Sequence, residues 1–568
     1  MLFREHVLII VLLVYSIAYK SLAPMRLFLI LPVLLLISAR CGEEADAGPS
    51  WSIGAPEVSI KTEPLFPERD PNDMVTVWFT AACEDKCLAL KKINISFTDG
   101  SAVTSLASLS AWYTGVVPGV TVRELMSSSG KPRKRTVLKG NISLASGKHS
   151  IAISLAASPA ADLCGTLKIE SITLTFSNGS RRKYSAVGDD PVIRFGRVVR
   201  ASGQDGVDTY RIPGLVTTSA GTLIAVYDNR YNSSKDLQED IDIGMSRSTD
   251  GGQTWEPMKV IMDMGEYGGL PQNLNGTGDP SVLYDHVTST VWVAALWMNG
   301  SAPDRMLWWA SQPGMTPRET GQVLLVKSSD DGITWSQPIN ITGQIKDPAW
   351  QLLLQGPGRG ITLRDGTLVF PAQFKSDTGV QALDGGQYTC HSTIIYSKDG
   401  GNSWQIGTGA KSNTTEAQVV ELGNGSLMLN MRDDRNRADK GVTNGRAVSV
   451  TGDLGRTWTA HPSSNSELPE PNCMASIISA DLKVDGLLKK VLFFSNPDDK
   501  SDRIRMTIKT SFDEGLSWPE ENRIELFRPS GYGYSCLTMV DENTLGILYE
   551  GSGELYFQKV RVNELIGK

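Results

Sequence analysis

Apolar and polar positions alternate with a period of two along most of this chain. Val75-Thr76-Val77-Trp78-Phe79 and Ile169-Glu170-Ser171-Ile172-Thr173-Leu174-Thr175-Phe176 are representative, and Gly, Ser, Pro and Asp clusters separate such runs. That pattern predicts short strands with one buried face. Helical periodicity is scarce, so the expected fold class is all-β. Residues 50–190 read as a small β-sandwich, and residues 195–565 as a larger, repetitive unit.

The repeat has the form S/T-x-D-x-G-x-T/S-W. It begins at Ser248, Ser328, Ser397, Thr451 and Ser511, and ends at Trp255, Trp335, Trp404, Trp458 and Trp518. The physical reading is a turn in which Asp and Ser/Thr side chains bond local backbone, Gly takes a positive φ, and Trp packs back on the sheet. The intervals between tryptophans are 80, 69, 54 and 60 residues, too long for single hairpins. Strand-rich repeats of this size predict a six-bladed β-propeller, with one blade lacking a recognisable turn. The repeated Asp is read as structural, not catalytic.

Two apolar runs, Val7 to Ala18 and Leu27 to Ser38, open the chain. Each falls short of the roughly 20 residues that cross a bilayer. Met25-Arg26 followed by the second run has the layout of a signal peptide, with Met25 as the expected start. Residues 1–47 are accordingly read as an export region. Leu36-Ile37-Ser38-Ala39-Arg40-Cys41-Gly42 resembles a bacterial lipoprotein signal, which implies membrane attachment through a lipidated Cys41. Arg40 departs from that pattern, and Ala45-Asp46-Ala47 offers a rival cleavage site. The expected location is periplasm, cell surface or medium. Export permits disulfides, and Cys83 and Cys87 are either a pair or buried thiols.

With 21% charged and 40% hydrophobic residues among 568, the composition is that of a globular protein. The net charge of −7 carries no basic tract, which excludes a nucleic-acid partner. Five histidines (His6, His149, His286, His391, His461) stand far apart, which argues against a His-based zinc site, and no metal or cofactor is expected. A monomer is the expected state.

The five turns match the Asp box of sialidases and several unrelated propellers. A more specific signal is Tyr210-Arg211-Ile212-Pro213, which resembles the F/Y-R-I-P motif of bacterial exo-α-sialidases (neuraminidases) of the glycoside hydrolase family 33 type. Arg230 stands 19 residues after Arg211, and Asp236 six further on; Glu416 precedes Arg432 by 16. Tyr534-Ser535-Cys536-Leu537-Thr538 and Leu548-Tyr549-Glu550 follow in the family's order. The resemblance implies an exo-α-sialidase acting on sialylated glycans. Sialic acid carries a carboxylate on its anomeric carbon, and guanidinium groups bind carboxylates by forked hydrogen bonds.

By that resemblance Arg211, Arg432 and Arg503 hold the carboxylate. Strand alternation would place Arg503 and Arg505 on one face, so only the family's N-P…R-x-x-(M/I)-T pattern favours Arg503. Asp236 is the implied acid and base, with Glu239, Asp240 and Asp242 as nearby rivals. Arg230 and Asp279 resemble the pair that contacts the 4-hydroxyl. Tyr534 is the implied nucleophile, activated by Glu416, as befits a substrate whose own anion would repel a carboxylate. A trans-sialidase shares this residue set, whereas a sialic-acid lectin would not need Asp236, Glu416 and Tyr534 together. The sandwich is either a carbohydrate-binding module or a spacer.

Overall fold

A computed structural model describes residues 51–568 except 84–87, 116–122, 189, 237–238, 301–306, 378 and 568. The expected export region with Cys41, and Cys87 of the expected pair, lie outside the described residues.

Two antiparallel sheets form the first part. One holds Asn72–Cys83, Gly147–Ala157 and Leu106–Gly115 at its centre; the other orders Arg181–Ser185, Ile169–Phe176, Ala89–Phe97 and Arg135–Ser143. Alternate residues face inward: Val75, Val77 and Phe79 from one sheet share a core with Ile93, Ile95, Phe97, Ile172, Leu174 and Phe176 from the other. This is the sandwich arrangement of two half-apolar sheets.

Six further sheets follow between Gly196 and Arg561. Their innermost strands include Thr209–Thr217, Asn275–Asp285, Leu352–Gln355, Thr414–Glu421, Ser476–Val484 and Ser535–Asp541. Neighbouring sheets touch in sequence order, and the last innermost strand packs against the first, closing a propeller. The closing sheet combines Gly196–Arg200 with Leu555–Arg561, Thr544–Glu550 and Ser535–Asp541, so chain segments far apart in sequence complete one element. It is the sheet without an Asp box.

The boxes share one bonding scheme. In the first, Ser248 Oγ donates to Asp250 Oδ1 (2.8 Å), which also accepts the Thr254 N–H (2.9 Å), while Thr254 Oγ1 donates to Asp250 Oδ2 (2.6 Å). The same bonds recur around Asp330, Asp399, Asp453 and Asp513. The tryptophans then join sheets: Trp255 meets Phe557 of the closing sheet at 5.3 Å, and Trp404 meets Trp292 at 6.2 Å. Gly252 has φ +85°, and a Cβ there would lie 2.0 Å from the Phe557 ring, so this turn accepts only glycine.

Candidate active site

One end of the propeller's axis opens into a cavity of about 310 Å³, lined in part by Ile212, Asp236, Asp279, Glu416, Arg432 and Tyr534. No Asp-box residue lines it.

Arg211 enters from Thr209–Thr217, where the pairing register shifts between Arg211 and Gly214 and Ile212 takes φ +58°. Such a bulge bends the strand and re-aims its side chains. The Ile212 N–H and Arg211 Nε both donate to Glu550 Oε1, each at 2.8 Å. Glu550 Oε2 accepts the Tyr534 N–H at 2.9 Å. One buried carboxylate thereby holds the bulge, the guanidinium and the tyrosine's backbone.

Tyr534 Oη donates to Glu416 Oε1, and Arg432 Nη1 bridges the pair, donating to Glu416 Oε2 at 2.6 Å and to Tyr534 Oη at 3.1 Å. Arg211 and Arg503 stand beside the Tyr534 ring, their guanidinium carbons 5.2 Å and 5.6 Å from its centroid. Arg432 Nη2 donates to Asn472 Oδ1 (3.1 Å), while its Nε is buried with no acceptor in the protein. Burial first, then the Glu416 charge, push the phenol well above its usual range, against the pull of Arg432 and Arg503.

Gly533 fixes this approach. It has φ +86°, and a Cβ would lie 3.1 Å from Arg503 Cβ and 3.2 Å from Cys473 Sγ. Arg503 Nη1 donates to the Tyr532 carbonyl at 2.8 Å. Arg505 does not share its face. The strand begins only at Met506, Arg505 takes φ +59°, and its Nε turns outward to Glu525 at 3.2 Å. Irregular backbone, not strand alternation, separates the two arginines.

Asp236 Oδ1 accepts from Arg230 Nη1 (2.5 Å) and Arg211 Nη1 (3.2 Å), with 52% of its side chain exposed. Desolvation raises its pKa, but the charges of Arg230 and Arg211 and the Arg230 hydrogen bond prevail and hold it at about 2. Arg230 is fully buried and also grips Asp228 Oδ2 through Nη2 at 2.8 Å. It reaches Asp279 only indirectly: Asp228 Oδ1 accepts the Asp279 N–H at 2.9 Å. Asp279 takes φ +57° and lines the cavity. Burial, then repulsion from Asp228, Glu416 and Asp236, lifts its carboxyl well above the ordinary range. Of the rivals to Asp236, none lines the cavity; Asp240 accepts from Gln272 (2.7 Å), and burial with Asp263 and Asp240 pushes Asp242 up to about 7.

Asp228, Asn472 and Glu550 carry no role in the sequence reading. Each is a buried polar side chain beside a motif residue, and Asp228 shares a strand face with Arg230 by its i, i+2 spacing. Trp308 and Trp309, which form one cavity wall, follow no motif at all.

Residues 212–519 match the model of the BNR repeat-like domain. A sialidase of Bacteroides fragilis is 49% identical over 439 residues, covering 77% of each chain. The chain belongs to the sialidase family. A sialidase of Micromonospora viridifaciens is 32% identical, over 62% of this sialidase and 52% of that one. Among solved structures, a Hadza microbial sialidase superposes with a TM-score of 0.78 at 41% identity, covering 90% of this chain and all of that one. The intramolecular trans-sialidase of Ruminococcus gnavus shares the fold, with a TM-score of 0.52 at 20% identity over 65% of this chain and 98% of that one.

Proposed function

We propose that this sialidase removes terminal sialic acid from glycoproteins, glycolipids and oligosaccharides with retention, through a covalent intermediate on Tyr534. The observation that carries the reading is the bonded unit of Tyr534, Glu416 and Arg432, with the Arg211 and Arg503 guanidinium groups both close to the phenol ring. The substrate carboxylate would lie among the three guanidinium groups, presenting the anomeric carbon to Tyr534 Oη. As the bond from Oη to that carbon forms, Glu416 takes the phenolic proton. Asp236 protonates the departing glycosidic oxygen, then removes a proton from the water that releases the sugar. Asp279, with Arg230 supporting it through Asp228, would bind the 4-hydroxyl.

An acid held at about 2 is ionised in the free enzyme, which by itself does not suit proton donation. The same guanidinium that holds Asp236 belongs to the carboxylate site. A substrate anion arriving at Arg211 would compete with Asp236 and raise its pKa by like-charge repulsion. Substrate binding thus arms the acid. Hydrolysis is preferred to transfer because the relatives at 49% and 41% identity are sialidases, while the trans-sialidase likeness lies at 20%.

The test is a fluorinated sialosyl fluoride, followed by peptide mass spectrometry. An adduct on Tyr534 is expected; one on Tyr532 or a carboxylate would overturn the assignment, as would full activity in Tyr534→Phe.

We also propose export through residues 1–47, on the strength of the apolar run after Met25-Arg26. Metabolic labelling with palmitate that is lost in Cys41→Ser would support the lipoprotein form; a mature N-terminus beyond Ala47 would refute it. The sandwich as carbohydrate-binding module or spacer, and the monomer, are tested by glycan-array binding of the protein and by light scattering.

A further inference from the structure

Tyr532 is half-buried and stands two residues before Tyr534, in Gly531-Tyr532-Gly533-Tyr534. Its main chain is bonded on both sides. The Tyr532 N–H donates to the Gly551 carbonyl at 3.1 Å, Arg503 Nη1 donates to the Tyr532 carbonyl at 2.8 Å, and the Gly531 N–H donates to the Arg503 carbonyl at 3.2 Å. A Cβ at Gly531 would lie 3.0 Å from the Glu550 carbonyl oxygen, so this segment rests directly on the backbone at Glu550. None of these bonds involves the side chain at 532.

That side chain has a partner of its own. The Arg211 guanidinium carbon lies over the Tyr532 ring, 4.3 Å from its centroid, closer than the 5.2 Å to Tyr534. The Tyr532 hydroxyl makes no hydrogen bond to a described residue.

Arg211 is a cation in need of support. Its Nε serves Glu550 at 2.8 Å and its Nη1 reaches Asp236 at 3.2 Å. Arg230 and Arg503 lie near enough to repel it. A further carboxylate would steady the guanidinium, but would compete with a substrate anion for the same N–H groups. An aromatic face attracts the cation through the ring quadrupole and brings no negative charge to compete. It also shields the guanidinium from water, which strengthens the bonds the cation makes.

We propose that Tyr532 is a positioning residue of the carboxylate site. Its ring steadies Arg211 and its carbonyl steadies Arg503, so one residue sets the spacing of two of the three guanidinium groups. The proposal rests on the reading that these arginines bind the substrate carboxylate. Tyr532 acts through the arginines and takes no part in the covalent step.

Calorimetry with a didehydro sialic-acid analogue, compared with its uncharged carboxamide, tests this. Tyr532→Leu should weaken binding of the acid about tenfold and leave the carboxamide within about threefold. KM should rise with the acid's Kd while kcat stays within about twofold, because the carboxylate contact is made in ground and transition states alike. Tyr532→Phe keeps the ring and should restore binding. Phenylalanine of increasing fluorine content at 532 keeps the shape and drains the negative face, so affinity for the acid should fall stepwise. Parent-like binding in Tyr532→Leu, or a flat fluorine series, would overturn the proposal; should the Leu variant fail to fold, the series decides. Arg211→Ala tests the underlying reading separately. If the parent does not prefer the acid, or keeps that preference in Arg211→Ala, the carboxylate site itself is wrong; a preference lost there but intact in Tyr532→Leu removes Tyr532 alone.

Discussion

Tyr534 and Glu550 are tied to each other twice. The Glu550 N–H donates to the Tyr534 carbonyl at 3.0 Å, and the Tyr534 N–H donates to Glu550 Oε2 at 2.9 Å. The remaining oxygen serves Arg211 and the Ile212 N–H. Glu550 is 1% exposed, so these partners take the place of water around its oxygens. Glu550→Gln keeps the shape and removes the charge. We expect kcat/KM to fall roughly 10²-fold, by misplacement of Tyr534, the proposed nucleophile, and of Arg211. We also expect a loss of about 3 kcal/mol in unfolding free energy, because Arg211 is left buried without its partner. Steady-state kinetics with a chromogenic sialoside and chemical denaturation check both.

Arg503 and Arg505 lie two residues apart and make opposite predictions. Arg503→Ala and Arg432→Ala should each lower kcat/KM by about 10²-fold or more. Arg505→Ala should leave it within about twofold, since that side chain serves Glu525 on the surface. Equal losses at 503 and 505 would remove Arg503 from the site.

Binding of a sialic-acid analogue should be accompanied by proton uptake. Asp236, at about 2 in the free enzyme, is ionised through the mildly acidic range, and an anion on Arg211 raises its pKa. Affinity must therefore fall as pH rises through the pKa of the complex. Calorimetry in buffers of different ionisation enthalpy measures the uptake, and Asp236→Asn should abolish it. Proton release on binding would refute the coupling.

The Asp boxes predict stability effects without catalytic ones. Asp399 is held at about 2 by the Ser403 hydroxyl and N–H and by the Ser397 hydroxyl. A depressed carboxyl pKa contributes stability above the unfolded value near 4, lost as pH falls toward 2. Asp399→Ala should melt several degrees lower at neutral pH, lose most of that difference near pH 2, and retain turnover per folded molecule. Circular dichroism melts and active-site titration measure the two parts.

Asp242 works in the opposite direction. Burial, then Asp263 and Asp240, raise its pKa to about 7, so the folded state favours the protonated acid. The cost of ionising it is absent below about pH 4 and grows until pH passes 7. Asp242→Asn should therefore be more stable than the parent at pH 8 by on the order of 2 kcal/mol, and indistinguishable at pH 4. Urea unfolding at the two pH values is the measurement.

The all-β class was legible because strand patterning and turn chemistry are local. The Asp box is a bonding unit of eight residues, and its five occurrences needed no tertiary knowledge. Motif residues were legible through family resemblance, yet their partners were not. Tyr534 and Glu416 are 118 residues apart and meet only because two innermost strands converge on the axis. Leu223–Arg230 is buried along its whole length, so it shows no alternation, and the pairing of Asp228 with Arg230 was hidden inside an ordinary-looking run. Asn472, at φ +55°, supports Arg432 from a loop whose course no periodicity describes. Alternation cannot separate Arg503 from Arg505 because the strand begins only at Met506, beyond both.

The closing sheet has a consequence for how the enzyme is made. Its outer strand, Gly196–Arg200, leaves the ribosome more than three hundred residues before Leu555–Arg561, the strand it pairs with. Until then the edge of Gly196–Arg200 has no strand to pair with, and an unpaired strand edge is a hazard for aggregation. The same late segment supplies Tyr534 and Glu550. A nascent chain therefore lacks Tyr534, the proposed nucleophile, until the strands that shut the ring have been made.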